Sequence, residues 1–337
     1  MPTTWIHRRG SKTRGFRYVD ASGRPVTDRA RLAHIEALRI PPAWTDVHVA
    51  GSVRAAIQAW GFDAKGRRQY RYHERAAERG QLRKYHRVRE LGRRLPSLRR
   101  RLHADARATA LTRDAVAAVV VRLISEGFFR PGNDRSTREN RTFGITTMRK
   151  AHVRVDGDCV HFRYVGKGRV RQRQCVVGRD LARAVARLLE TPGARLFRYR
   201  ADDGRWHDLD ARDVNDYLRH RCSVAYSAKD FRTWGGTLRA ATVLAELGPP
   251  TSATDAKRRV AMAMRLVSAE LGNTPAICRK SYVHPIVVAK YLDDGETIVL
   301  PRRRSVAVRA PRHTGEERAL LAFLDRHFPE RRTRPRR

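Results

Sequence analysis

Tyr282 lies near the end of the stretch LGNTPAICRKSYVHP, where a Gly-Asn-Thr-Pro turn precedes two consecutive cations, Arg279 and Lys280. A tyrosine on an amphipathic helix is ordinarily a core residue. A phenol flanked by basic groups has a second use, because adjacent cations favour its ionised form and balance charge on an attacked phosphate. Such a phosphodiester transfer needs few parts: a nucleophile, cations on the two non-bridging oxygens, and a proton for the leaving oxygen. Four more positions offer suitable chemistry. Arg130 follows an apolar helix in FFRPGNDR, and Lys167 occupies the tight turn of YVGKGR. Arg232 lies one turn into the helix of KDFRTWGG, and Asn273 opens the turn ahead of the tyrosine.

Other routes to phosphate chemistry leave no trace in the sequence. There is no close Asp/Glu cluster for paired magnesium ions and no HExxH or CxxC site, and VGKGR lacks the spacing of a nucleotide phosphate loop. The reading is therefore of an enzyme with no cofactor and no metal. The 72 Lys and Arg residues outnumber the 34 Asp and Glu, giving a net charge of +38 that calls for a polyanionic partner, nucleic acid first and an anionic membrane surface second. The longest central apolar run, AVAAVVV, stops at Arg122, and the N-terminus has no apolar leader, so neither a membrane span nor a signal peptide is expected. The four cysteines, Cys159, Cys175, Cys222 and Cys278, are far apart and read as free thiols of a reducing cytoplasm, neither a disulfide frame nor a zinc site. The histidines show no ligand spacing.

The elements that must position these residues follow from periodicity. Residues 15–27 read as a hairpin, 29–40 as a helix stopped by Pro41 and Pro42, and 46–50, 55–63 and 67–73 as strands. From Glu74 the period turns helical, with one or two basic helices interrupted at Pro96, then a buried apolar helix over 111–127. Strands flank DGD and GKG within 152–177; helices are predicted over 179–190, 212–220, 229–247, 256–271, 278–292 and, after a basic linker, 316–328, before a disordered basic tail. The class is α+β with two domains: a β-rich DNA-binding domain over 1–74 and a mainly helical catalytic domain over 75–296, with 297–337 as linker, short helix and tail.

The order FxRxG, FxxVGK, KDxRTxG and GxTPxIxxxxY resembles the type IB DNA topoisomerases of the small poxvirus-like and bacterial kind, and IPPAWTDV and DAKGRRQYRYH are similar to that group's β domain. The resemblance spans about residues 40–292. It implies a C-shaped clamp on duplex DNA, a recombinase-like helical domain, and a monomer without an obligatory protein partner. It implies that Tyr282 forms a 3′-phosphotyrosyl bond and frees a 5′-hydroxyl, that the nicked strand swivels, and that religation needs no ATP. Arg130 and Arg232 match the arginines that stabilise the phosphorane, and Lys167 matches the general acid. That division suits the chemistry, since a guanidinium keeps its proton and an ammonium can deliver one. Asn273 stands where relatives often carry His; its amide still donates a hydrogen bond, without charge. Lys229 offers an extra phosphate contact. Tyr70 and Tyr72 alternate onto one strand face as DNA contacts, and Arg67 and Gln69 are assigned to DNA binding with them, Gln69 lying on the opposite face unless the strand twists.

Two other readings compete. A phage-integrase-type recombinase would carry a His three residues before its second arginine and a helical N-terminal domain; KDFRTWGG has no such His, and the N-terminal region reads β-rich. An architectural DNA-binding protein would explain the charge but not the ordered Arg, Lys, Arg, Asn, Tyr set.

Overall fold

The computed structural model describes residues 4–220, 226–301 and 312–328. Cys222, most of the basic linker and the terminal basic tail lie outside the described residues. The chain divides into two compact units, Met1–Tyr85 and His86–Arg337, the boundary falling within a helix rather than at its start.

The first unit is a five-stranded antiparallel sheet with one helix. Its elements are β1 (Trp5–Ser11), β2 (Gly15–Val19), α1 (Arg29–Ala37), β3 (Thr45–Ala50), β4 (Ile57–Phe62) and β5 (Arg68–Tyr72), in the sheet order β2-β1-β3-β4-β5. The hairpin expected over 15–27 is present in short form, with Val19 bridged to Pro25 and the Val26 amide donating to the Tyr18 carbonyl at 2.9 Å, and its first arm also pairs with β1. Gly15 begins β2 and closes a turn from β1, at φ 80°, while Asp20 to Pro25 form a turn in which the Asp20 carboxylate accepts from the Ser22 and Arg24 amides. Strand alternation gives the sheet two faces. One buries Ile6, Val47, Val49 and Ala59 with Ile35 of α1. The other carries Trp5 and His48 in ring contact with Trp60, and Tyr70 stacked on Tyr72.

α2 (Glu74–Ala106) runs unbroken, contrary to the interruption expected at Pro96. A proline within a helix releases the carbonyl four residues earlier. Here that carbonyl belongs to Gly92, and it accepts from His313 Nε2 at 2.7 Å instead. The second unit continues with α3 (Arg113–Gly127), α4 (Asp134–Asn140), a meander of β6 (Val153–Asp156), β7 (Cys159–Val165) and β8 (Arg171–Val177), and α5 (Arg179–Leu189). Next come a short ladder of β9 (Arg198–Arg200) and β10 (Trp206–Asp208), then α6 (Ala211–His220), α7 (Ala228–Leu247) and α8 (Ala253–Leu271). α9 (Pro275–Ser281), α10 (Pro285–Asp294) and α11 (Gly315–His327) complete it. α3 lies at its centre, with Val116, Val120, Val121, Leu123 and Ile124 fully buried. Leu320, Phe323 and Leu324 of α11 join the same core.

Two expectations are corrected. The single helix predicted over 278–292 is two helices, α9 and α10, because Pro285 holds His284 in extended backbone (φ −65°, ψ 124°) and restarts the helix behind it. The cysteines are not all free: Cys159 and Cys175 form a disulfide, with Cα atoms 6.3 Å apart. They are distant in sequence, but β7 and β8 pair His161 with Cys175 and Cys159 with Val177, which makes the two sulfurs diagonal neighbours on one face. Cys278 is free and buried. No helix among the described residues is long and apolar enough to cross a membrane.

Candidate active site

The site is organised by the C-terminal end of α8. Its last carbonyls lack intrahelical partners and carry the negative end of the helix dipole. Gly272 turns the chain at φ 61°, and the Asn273 amide returns to the Ser268 carbonyl at 2.9 Å. Two arginines distant in sequence fill two consecutive acceptors further on, the Leu271 and Gly272 carbonyls. Arg232 Nη2 donates to the Leu271 carbonyl at 2.9 Å, and Arg130 Nη2 donates to the Gly272 carbonyl at 2.6 Å. Two cations that would otherwise repel are thereby held side by side.

Each arrives by a local device. α3 ends at Phe128 in left-handed backbone (φ 55°), which sends Arg130 out of the helix direction, and the Arg130 carbonyl is tied to the Ile145 amide at 2.8 Å. Arg232 rides on α7, whose capping box joins Ser227 and Asp230; the Asp230 carboxylate also accepts from Arg87 at 2.9 Å. The Arg232 side chain is almost wholly buried. Burial lowers its pKa from the ordinary guanidinium value, the nearby Tyr282 phenol opposes that, and Arg130 adds to the lowering.

Tyr282 sits at the break between α9 and α10, not within a helix, with its amide bonded to the Cys278 carbonyl at 2.9 Å. Its ring centroid is 5.2 Å from the Arg232 guanidinium carbon. Thr237 of α7 fixes this break. Its hydroxyl accepts from the His284 amide at 3.0 Å and donates to the Thr233 carbonyl at 2.7 Å, with the Tyr282 carbonyl 3.3 Å away. Gly236 permits the approach, since a Cβ there would fall 2.9 Å from the Tyr282 carbonyl oxygen.

Asn273 Oδ1 accepts from Arg130 Nη2 at 2.5 Å. Arginine has no acceptor, so this bond fixes the amide's orientation and points Nδ2 elsewhere. Asn273 Nδ2 is buried without a hydrogen-bond partner, and so is Arg232 Nε. The left-handed position of this turn is Gly272; Asn273 itself is not among the residues at positive φ. The turn alone gives no reason for an asparagine.

Lys167 is exposed in the turn between β7 and β8, where Gly168 (φ 76°) and Arg169 (φ 62°) reverse the chain. Among the described residues it makes no hydrogen bond or ion pair with the other four. The hairpin does meet the α8 end, because a Cβ on Gly272 would lie 2.9 Å from Gln172 Oε1 of β8. Lys229 is exposed at the start of α7. Tyr164, on the inward face of β7, escaped the sequence reading. Burial pushes its phenol up to about 12 against the opposing pull of Arg232 and Arg130, and its hydroxyl donates to Gln174 Oε1 at 3.1 Å. The alternation Val160, Phe162, Tyr164 was the available signal.

On the first unit, Tyr70 and Tyr72 stack on the open face, with centroids 5.7 Å apart. Arg68 lies 3.8 Å over Trp60, whose other side is stacked on His48, also at 3.8 Å. Trp60, His48 and Arg68 were missed, although they share the same strand alternation. Gln69 lies on the opposite face and donates to Asp63 Oδ2 at 2.9 Å; Arg67 pairs with the same carboxylate at 2.6 Å and brings it down to about 2. Among the described residues, Cys159, His161 and Cys175 form one group able to gather round a metal ion, and it lies outside this arrangement.

Two cations, an amide donor and a phenol gathered at one helix end can hold a phosphate diester against a nucleophile. The comparisons agree with that chemistry. Residues 73–299, more than half of the chain, match the catalytic core of eukaryotic DNA topoisomerase I, and residues 15–63 match the N-terminal domain of bacterial DNA topoisomerase IB. The chain belongs to the DNA topoisomerase I family, in its type IB form. It is similar to the DNA topoisomerase 1B of Acanthamoeba polyphaga mimivirus, 27% identical over 301 residues, which cover 87% of this chain and 89% of the relative. The DNA topoisomerase 1B of Vaccinia virus (strain Copenhagen) is 23% identical over 291 residues, covering 80% and 85%.

Proposed function

We propose that this enzyme relaxes supercoiled duplex DNA by cutting one strand, letting it rotate and resealing it. The observation that carries the reading is the pairing of Arg130 and Arg232 on consecutive carbonyls beside Tyr282, with two buried donors unpartnered. Tyr282 Oη gives up its proton to solvent and attacks phosphorus, the bond to the 5′ oxygen breaks, and the strand's 3′ phosphate becomes a tyrosyl diester. Arg130 and Arg232 neutralise the charge that grows on the non-bridging oxygens, and Asn273 Nδ2 donates to one of them. Lys167, exposed in the turn between β7 and β8, gives its proton to the departing 5′ oxygen. Attack by that hydroxyl reverses every step. The diester energy is kept in the tyrosyl bond, so ATP has no task, and the protein's own cations take the part a metal plays elsewhere.

The open aromatic and basic face of the first unit, with Tyr70 and Tyr72, supplies DNA contacts, and Lys229 a further phosphate contact. The recombinase-like catalytic domain and the DNA-binding domain together form a C-shaped clamp, which acts as a monomer on cytoplasmic, nucleoid DNA. The deciding experiment is a suicide substrate, in which the cut strand loses its 5′ fragment and traps the adduct. Wild-type protein should become covalently joined to the DNA, and Tyr282→Phe should bind without joining. An adduct in the Phe variant assigns the nucleophile to another residue.

A further inference from the structure

Cys159, His161 and Cys175 share the outward face of the β6–β8 meander, and the reaction proposed above uses none of them. Cys159 and His161 are two apart on β7 and so point the same way; His161 is paired directly with Cys175 on β8. One ligand atom from each lies within 4.8 Å of the others, and Cys159 Sγ is 4.0 Å from His161 Nδ1. A zinc ion stands about 2.3 Å from a thiolate sulfur and about 2.0 Å from an imidazole nitrogen, so its neighbouring ligands are roughly 3.5–4 Å apart. Small side-chain rotations on a fixed ladder gather these three atoms to that spacing.

We propose that, when the Cys159–Cys175 disulfide is reduced, this face binds one zinc ion through Cys159 Sγ, Cys175 Sγ and His161 Nδ1, with water in the fourth position. Each thiol releases a proton on binding, and the imidazole binds as the neutral ring. The surroundings favour this. Arg154 of β6 is paired with His161, and Arg163 and Arg173 form the next pair along the same face. Such cations stabilise thiolates but repel a bare dication. Two thiolates cancel the charge of the ion, so the complex adds no net charge to a basic face. The sulfurs serve either the disulfide or the metal, never both. Either way β7 is joined to β8 near the end of the hairpin away from the Lys167 turn. The inference stands apart from the proposed reaction, since it rests only on these three side chains.

The test uses the full chain reduced with a phosphine and titrated with cobalt(II) as the spectroscopic stand-in for zinc. Wild-type protein should take up one ion per chain with a thiolate-to-cobalt charge-transfer band. Zinc should displace the ion and abolish the band, and titration with zinc should release two protons per ion. Cys175→Ser and His161→Ala should each lose the band at the same cobalt concentration, while Cys222→Ser keeps it. Retained DNA binding reports that the variants fold. Absence of the band in reduced wild-type protein overturns the proposal. So does an unchanged band in Cys175→Ser or His161→Ala, or its loss in Cys222→Ser.

Discussion

Replacing Asn273 tests the least expected member of the site. Its amide does two things: Oδ1 receives Arg130, and the resulting orientation leaves Nδ2 as a buried donor without a partner. Asn273→Ala deletes both, but Arg130 keeps the Gly272 carbonyl and the turn keeps its left-handed glycine. The loss is then chiefly one preorganised donor to the developing phosphate charge, about 10²- to 10³-fold in rate, or about 2.7–4 kcal/mol of barrier. Asn273→Asp separates the two roles. It preserves an oxygen for Arg130 and turns the donor into a negatively charged acceptor facing the phosphate. Like charges about 4 Å apart repel by about 4 kcal/mol at an effective dielectric constant near 20. The Asp variant should therefore be slower than the Ala variant. Asn273→His restores a donor and should recover substantial activity, with a new pH dependence near the imidazole pKa of about 6.5. The assay is single-turnover cleavage of the suicide substrate, with the adduct resolved in denaturant and non-covalent binding measured separately. An Asp variant faster than the Ala variant refutes the donor role and leaves Asn273 as a support for Arg130. Wild-type cleavage by Asn273→Ala removes it from the site.

Lys167→Ala should cleave slowly and be rescued by a 5′-bridging sulfur, which leaves without a proton; Arg232→Ala should not be, and equal rescue of both contradicts the assignment. Tyr164→Phe should still form the covalent adduct, because a phenol pushed up to about 12 stays protonated at neutral pH; a missing adduct with normal DNA binding would reopen the choice of nucleophile. Thr237→Val leaves the His284 amide without its acceptor, so it should cost about 1–3 kcal/mol in denaturant melts and slow cleavage more than it weakens binding. Cleavage should persist in EDTA, and DNA affinity should fall steeply with salt as arginine–phosphate contacts are lost.

Much of this protein is written locally. Charge excess points to a polyanion, and the order of the motifs, through the family it resembles, proposes Arg130, Lys167, Arg232, Asn273 and Tyr282 as one set; the fold gathers Arg130, Arg232, Asn273 and Tyr282 at one helix end and leaves Lys167 in its own turn. Helix and strand periods place α3, α7 and α8 within three residues, since an apolar stripe of fixed period has few ways to be buried. Three of the misses share one cause, while the break at Pro285 was visible in the sequence itself. Pro96 reads as a break from its own ring, yet His313, far along the chain, takes the carbonyl that the proline releases. Cys159 and Cys175 read as separate thiols until strand register sets them on one face. Tyr164 looks like any inward strand residue until two arginines arrive beside it. The capture of Arg130 and Arg232 by adjacent carbonyls of α8 could not be foreseen either. A helix end announces that it has unsatisfied acceptors, but only the packing of distant segments decides which donors reach them.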